Sequence, residues 1–398
     1  MIKNGLMERF EKVPHFFLLL LSAMLFLPVG ILYTILFLFL MSLLVSGQYE
    51  LKWNLIKESP MFLPVMAMTI WTTAMALWRG EWSSAFWSAY GHYQIYLLLL
   101  CAITLGQGEW QARAIKALYF AGLLAATLLY LNQFSLLPEI KLFKSYLIYN
   151  GNKSILIGIL LGLIAGYQLY ELCNITRFRD QWWVWLGWAY LVMALLFLAK
   201  TRTGILIFML LSFWVVIKHI KWSAHNILIM VLSGILLIGV GLSSSALKER
   251  VVQTVNGVKE FKGDTEQGDA RLHLFQGTIA IVKEKPIFGH GIGRWIKEFN
   301  LRERGRDIAS HTTPHNDYLL YWAELGLMGV FFLLWIFIAQ IKIALRLGGD
   351  KGVFLGMVSL AMIITCLFNA GLRDALFGVP FMLLLSIPLA GVKKGFVK

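Results

Sequence analysis

The chain has 398 residues, of which 58% are hydrophobic and only 15% are charged, and its formal net charge is +14. This composition excludes an ordinary soluble globular protein and indicates a membrane protein with many helices. The basic excess does not indicate nucleic-acid binding, because no soluble basic domain is present to carry it and because lysines and arginines gather in the cytoplasmic loops of membrane proteins. Three cysteines, all in or beside apolar segments, indicate neither a disulfide framework nor a zinc site.

Twelve apolar segments are predicted to be membrane-spanning helices, so a single all-α polytopic domain takes up residues 1–398. The first two segments are separated by a tight turn at the sequence LPVG. The predicted spans are 14–28, 31–47, 60–78, 86–106, 115–131, 153–171, 183–199, 203–217, 226–243, 318–344, 352–370 and 376–391.

Basic residues orient these spans. With the N-terminus in the cytoplasm, seventeen lysines and arginines fall in or beside segments on the inside, whereas seven fall in short outside loops. This asymmetry predicts that both termini are cytoplasmic. It also leaves Lys200 and Arg202 on the side where such charges are disfavoured. A short outer loop, 132–152, mixes aromatic, apolar and lysine residues and is predicted to hold a helix in the membrane interface.

A long loop between the ninth and tenth spans, residues 244–317, is predicted to lie outside the membrane. Apolar residues at 272, 275, 279 and 282 have helical spacing, and the sequence SSSALKERVVQTVNGVKEF offers serine caps for another helix. The sequence KPIFGHGIGRW is typical of a turn-rich connector. We therefore predict a small helical cap on the outer face.

Two arginines are candidates for a functional site. Arg202 lies between two apolar segments with almost no loop around it, and an arginine near the membrane is costly to bury. The alternative is that Arg202 and Lys200 only extend to lipid phosphates. Arg271 begins the helical pattern of the long loop, and by itself it is better explained as a solvated surface arginine, the usual position of such a residue.

The sequence HTTPHNDYLLYWAELG, residues 311–326, places two histidines before an apolar segment. Thr313 is a good N-cap and Pro314 a good first helical residue, so His315 is predicted to lie in the first turn of the tenth span. A helix N-terminus disfavours positive charge and would favour a neutral imidazole that can act as a general base. The alternative is that both histidines are interfacial polar residues. Glu324 is expected on the opposite helix face, paired with another helix.

Three residues at the outer end of the eleventh span, Asn369, Arg373 and Asp374, are candidates for that pairing or for part of the site. The sequence contains no HExxH and no DxD motif, so no metal site is indicated. A site without metal would need arginines to neutralise a leaving phosphate.

The long outer loop ending in PHNDYLLYWAELGLMG, with KPIFGHGIGRW upstream, resembles the bacterial O-antigen ligase and polymerase superfamily. The twelve predicted spans and the late position of the loop are similar to the O-antigen ligases of that superfamily. The resemblance implies a membrane glycosyltransferase fold of the GT-C type.

The resemblance also implies a function in the inner membrane of Gram-negative bacteria. Such ligases transfer O-antigen polysaccharide from undecaprenyl pyrophosphate to a sugar hydroxyl of lipid A–core on the periplasmic face, by inverting transfer without a metal or cofactor. The family's two essential arginines and its histidine correspond to Arg202, Arg271 and His315. His315 matches because Asn316 and the apolar segment follow it, whereas His311 has no such match and no assigned role.

Supporting roles in the same site fall to Lys200, Asn316 and Arg373, and the roles of Glu324 and Asp374 stay open. Three other functions also stay open. An O-antigen polymerase and a protein O-oligosaccharyltransferase would use the same donor with another acceptor, although the latter group tends to carry an extra C-terminal region. A lipid-linked glycan transporter would typically show paired half-repeats and broken helices, and the sequence shows neither.

Overall fold

The computed structural model describes residues 2–147, 151–174, 182–199, 201–219, 270–302 and 312–397. Every regular element within these ranges is helical, in agreement with the all-α prediction. The chain divides into two compact units, the first made of residues 1–25, 29–117 and 271–398 and the second of residues 26–28 and 118–270.

The helices before the long loop are named here in chain order. They are α1 (Ile2–Met24), α2 (Val29–Val45), α3 (Tyr49–Glu58), α4 (Phe62–Arg79), α5 (Ser84–Tyr93), α6 (Tyr96–Ala102), α7 (Trp110–Gln133), α8 (Lys144–Leu147), α9 (Asn152–Cys173), α10 (Trp182–Met193) and α11 (Arg202–His219). One π-helical turn, Ala194–Leu198, continues α10. The turn predicted at LPVG separates α1 from α2.

The helices of the last third of the chain all belong mainly to the first unit. They are α12 (Ala270–Glu284), α13 (Trp295–Arg302), α14 (Asp317–Leu347), α15 (Gly349–Phe368) and α16 (Ala375–Leu389). Eleven of the twelve predicted apolar segments coincide with helices, and the ninth, 226–243, lies outside the described residues.

Five of the described helices are long and apolar enough to cross a membrane, namely α7, α9, α11, α14 and α15. The number rises to seven if each of two bent pairs, α2 with α3 and α5 with α6, forms one span. The wider prediction of twelve spans goes beyond what these helices establish.

Within the second unit, α9 and α11 pack closely through glycines. A Cβ atom on Gly158 would lie 1.8 Å from the Thr201 hydroxyl oxygen, and one on Gly162 would lie 2.3 Å from the Gly204 carbonyl oxygen. Small residues at four-residue spacing allow helix backbones to approach in this way. The contacts advance in the same direction along both helices, so α9 and α11 run parallel. The successive neighbours are Gly158 with Thr201, Gly162 with Gly204, and Gly166 with Leu211.

Within the first unit, α14 is broken at Gly326, where φ is 71° and ψ is −168°. The connector after α12 fills the break, since the Leu327 N–H donates to the carbonyls of Pro286 and Ile287 at 3.0 and 3.1 Å. A Cβ atom on residue 326 would lie 2.1 Å from the Ile287 carbonyl oxygen, so glycine is required for both backbone angle and space. The sequence had predicted an uninterrupted span over 318–344.

A hydrophobic core joins α12, α13 and the first part of α14. Its buried members are Leu274, Ile281, Val282, Trp295, Phe299, Leu320 and Ala323. The prediction of which face of α12 is buried was partly wrong, because Ile279 is 41% exposed whereas Thr278 is buried. Trp295 explains this register, since its indole N–H donates to the Thr278 hydroxyl at 2.9 Å. The helical pattern predicted for this part of the long loop is present, and residues 244–269 lie outside the described residues.

Candidate active site

The N-terminus of α14 is capped by Asn316. Its Oδ1 accepts a hydrogen bond from the Leu319 N–H at 2.9 Å, and its Nδ2 donates to the Leu367 carbonyl at 3.1 Å, near the end of α15. The prediction that Thr313 caps this helix and that His315 lies in its first turn is therefore wrong. Asparagine is the stronger N-cap, and here its amide gains a second partner on another helix.

His315 directly precedes this cap in a left-handed backbone conformation, with φ of 52°. The His315 side chain is half-buried, and the backbone N–H of His315 donates to the Thr313 hydroxyl at 3.4 Å. Residues other than glycine seldom adopt this conformation, and such strained positions concentrate at functional sites. His315 thus lies outside the first helical turn, where the helix N-terminus was expected to favour a neutral imidazole.

Replacing Asn316 with alanine is expected to lower the stability of the protein by about 1–2 kcal/mol, the usual effect of losing an N-cap. Asn316→Asp is the matched control, since it keeps the capping oxygen and replaces the donor to the Leu367 carbonyl with a carboxylate oxygen. Thermal unfolding in detergent should therefore show a larger drop in Tm for the alanine variant than for the aspartate variant. Equal Tm values for the alanine variant and the wild type would show that the cap is dispensable.

Asp317, the first residue of α14, holds the connection between α15 and α16. It is fully buried, and its carboxylate accepts the N–H groups of Leu372 at 2.7 Å and of Arg373 at 3.4 Å, together with the Cys366 thiol. These bonds fix the Arg373 backbone beside the segment that follows His315. Arg373, which was predicted to support the site, is thus close to the start of α14.

The side chain of Arg373 meets a residue that the sequence did not single out. Its Nη1 lies 2.5 Å from Nδ1 of His92 in α5, and both side chains are half-buried. The only sequence signal for His92 was a histidine inside the apolar segment 86–106.

Glu324 joins α14 to α5 and to the connector. It is 2% exposed and accepts hydrogen bonds from the Tyr93 hydroxyl at 2.7 Å, the Gly293 N–H at 2.9 Å and the Trp295 N–H at 3.2 Å. The prediction that Glu324 pairs with another helix is confirmed, with Tyr93 as the partner. The glycine-rich connector KPIFGHGIGRW therefore wraps the break in α14 and is held there by a buried carboxylate.

A charged network ties α12 to α13. Arg302 donates to Glu298 at 3.1 Å and also forms an ion pair with Glu284. Burial raises the pKa of Glu298, but the hydrogen bond from Arg302 and the neighbouring His290 and Arg302 lower it by more, so it lies below its usual value. Glu298 therefore stays ionised over the neutral range and holds Arg302, whose ion pair with Glu284 links α13 to α12.

The predicted arginines lie in different units. Arg271 is half-buried in the first turn of α12, three residues before Leu274 of the shared core, and it belongs to the first unit with His315. Arg202 is the exposed first residue of α11 in the second unit. Lys200 lies outside the described residues, as does His311.

No group of three or more His, Cys, Asp or Glu side chains that could hold a metal ion is found among the described residues. The three cysteines are free, with Cys366 buried. A reaction without metal or cofactor stays a prediction from the resemblance.

The apolar helices make the chain a multi-pass helical membrane protein, with His315, the buried Asp317 carboxylate and Arg373 at the start of α14. A family model described as O-Antigen ligase matches residues 186–334. This match covers less than half of the chain, and it supports a member of the O-antigen ligase/polymerase superfamily, a class of glycosyltransferase-like membrane enzymes. The matched range includes Arg202, Arg271 and His315 and ends before Arg373. No curated protein matches the chain.

Proposed function

We propose that this protein is an O-antigen ligase, which transfers O-antigen polysaccharide from undecaprenyl pyrophosphate to a sugar hydroxyl of lipid A–core. The observation that carries the proposal is the O-Antigen ligase match over residues 186–334, because that range includes both arginines and the histidine required by the resemblance. The reaction takes place on the periplasmic face of the Gram-negative inner membrane.

The proposed topology is that of a single GT-C-like transmembrane domain over residues 1–398. It has twelve spans, cytoplasmic termini and a periplasmic helical loop at 244–317. Support comes from the eleven apolar segments that form helices and from the helices α12 and α13 within the loop. A lipid-linked donor enters such a site from the bilayer, which suits a site at the end of a membrane helix.

Arg202 and Arg271 bind the donor pyrophosphate in this proposal. Guanidinium groups form paired, charge-assisted hydrogen bonds with phosphate oxygens, and they stabilise the negative charge that grows on the leaving group. One feature supports the assignment: Arg202 is exposed at the start of α11.

His315 acts on the acceptor. The acceptor hydroxyl oxygen attacks the anomeric carbon, the bond from that carbon to the pyrophosphate oxygen breaks, and undecaprenyl pyrophosphate leaves. The hydroxyl proton passes to the imidazole of His315 if the residue is a general base. If His315 only orients the hydroxyl, the proton leaves to water. The half-buried position of His315 beside two ordered helix ends supports either role.

An acceptor competition tests the function. Purified protein is given undecaprenyl-pyrophosphate glycan with lipid A–core, with a second lipid-linked glycan repeat, or with a pilin-like protein, each with and without excess chelator. We expect transfer to lipid A–core alone, and the same rate with chelator. Transfer to the glycan repeat would make the protein a polymerase, transfer to protein would make it a protein O-oligosaccharyltransferase, and a rate restored only by a divalent ion would overturn the metal-independent reaction.

A further inference from the structure

We propose that Arg373 and His92 form a second phosphate-binding site beside His315, one that recognises a phosphate group of a substrate. The proposal rests on the proposed function, because it assigns the phosphate to one of the two substrates of glycan transfer. The phosphate belongs either to the pyrophosphate of the donor or to a phosphate carried by lipid A–core. All residues of the site lie in the first unit.

The first observation is that the carboxylates around Arg373 accept hydrogen bonds from groups other than its guanidinium. Asp317 accepts the N–H groups of Leu372 and of Arg373 itself, Glu324 accepts Tyr93 and two connector N–H groups, and Asp374 accepts the Leu376 N–H as the cap of α16. Among the described residues, the Arg373 guanidinium makes no ion pair with any of them.

The second observation is the partner that the guanidinium does have. A guanidinium carries five N–H donors, and within the described part of the chain its hydrogen-bond partner is the His92 Nδ1 atom at 2.5 Å. Because the guanidinium contacts a ring nitrogen and no carboxylate oxygen, most of its N–H donors stay available for a ligand. Such an arginine is suited to bind an anion, and the planar fork of its donors fits two phosphate oxygens.

His92 also holds the Arg373 side chain in place. Its Nδ1 atom lies 2.5 Å from the Arg373 Nη1 atom and 2.5 Å from the Ser88 carbonyl oxygen. A ring nitrogen that accepts from Arg373 carries no proton, and in that tautomer the Nε2 N–H is a further donor at the site.

The third observation is that the segment carrying Arg373 is held in place close to His315. The Arg373 backbone N–H is bound to Asp317, two residues after His315, and Asn316 is bound to the end of α15. The segment that carries Arg373 is thus anchored to the segment that carries the proposed catalytic histidine. A site held on ordered helix ends loses little entropy when it binds a ligand.

Direct binding to the full-length protein in detergent tests the site without depending on transfer. The probes are undecaprenyl pyrophosphate without glycan, phosphorylated lipid A–core, and the same lipid A–core after phosphatase treatment. We expect Arg373→Gln to weaken binding of one phosphorylated probe by about 10- to 100-fold, the range for losing a charge-assisted hydrogen bond. Weaker undecaprenyl pyrophosphate binding assigns the site to the donor. Weaker binding of phosphorylated lipid A–core, with the treated form unchanged, assigns it to the acceptor.

Matched variants separate binding from structure. Arg294→Gln is the control, because Arg294 is a half-buried arginine of the same unit that is paired with Glu81, and it should bind all probes normally. His92→Gln keeps an acceptor for Arg373 and should retain most of the affinity, whereas His92→Leu should lose about tenfold. Wild-type affinity of Arg373→Gln for both phosphorylated probes overturns the site, as does an equal loss for all three probes together with a lowered Tm.

The two proposals fail separately. If Arg373→Gln loses phosphate binding and the wild type transfers no glycan, the ligase function is wrong and the phosphate site stands. If the wild type transfers glycan and Arg373→Gln binds phosphate as the wild type does, the ligase function stands and the phosphate site is wrong.

Discussion

Replacing His315 with asparagine is expected to lower the rate of glycan transfer by at least about 100-fold, the lower end of the usual contribution of a general base. Asparagine tolerates the left-handed backbone conformation that His315 adopts, so this variant should fold as the wild type does. Initial rates of transfer to lipid A–core and thermal unfolding in detergent are the two measurements. A low rate with an unchanged Tm assigns the loss to chemistry.

Comparison of two variants distinguishes the two roles of His315. An asparagine amide still hydrogen-bonds a hydroxyl but takes up no proton, so a residue that only orients the acceptor should lose less in His315→Asn than in His315→Ala. Equal losses in both variants support the base. His311→Ala is the control, since His311 has no assigned role and should leave the rate unchanged. Near-normal transfer by a stable His315→Ala protein would remove the histidine from the mechanism.

Replacing Arg202 or Arg271 with alanine is expected to reduce transfer by about 100- to 1,000-fold, the effect of removing one preorganised donor to developing negative charge. Lysine at either position should restore only part of the rate, because a point charge cannot form the paired hydrogen bonds of a guanidinium. The measurement is kcat/KM for the lipid-linked donor at saturating acceptor.

Arg113→Ala is the matched control for the two arginine variants. The Arg113 side chain is 68% exposed and is paired with the exposed Glu109, which directly precedes α7, so its loss should leave kcat/KM unchanged. If Arg202→Ala or Arg271→Ala transfers glycan as fast as Arg113→Ala, that arginine does not bind the pyrophosphate. Arg202 would then only contact lipid phosphates, and Arg271 would be a solvated surface residue.

The helical class and the helix positions were predictable from the sequence because they depend on local properties. Long apolar segments must satisfy their backbone hydrogen bonds internally in a bilayer, so they form helices wherever they occur. The turn at LPVG and the connector KPIFGHGIGRW were predictable because proline and glycine limit the backbone directly. The resemblance to the O-antigen ligases, which the match over residues 186–334 supports, was visible because its motif lies in one continuous stretch around His315 and Asn316.

Helix termini and buried faces were predicted less well, because neighbouring elements decide them. Local capping preference pointed to Thr313, but Asn316 caps α14 because its amide also reaches Leu367, which is distant in sequence. Helical spacing pointed to Ile279 as a buried residue of α12, but Trp295 of α13 covers Thr278 instead.

By itself, the sequence determined that this protein is a helical membrane protein and which short motif carries its family resemblance, because apolar length and motif order are properties of consecutive residues. Only the tertiary structure decided that α14 breaks at Gly326 around the connector, that Glu324 bonds to Tyr93, and that Arg373 meets His92. Each of these contacts joins residues more than thirty positions apart. Such pairs are selected by packing geometry and by the need to satisfy buried polar groups, which no local pattern encodes.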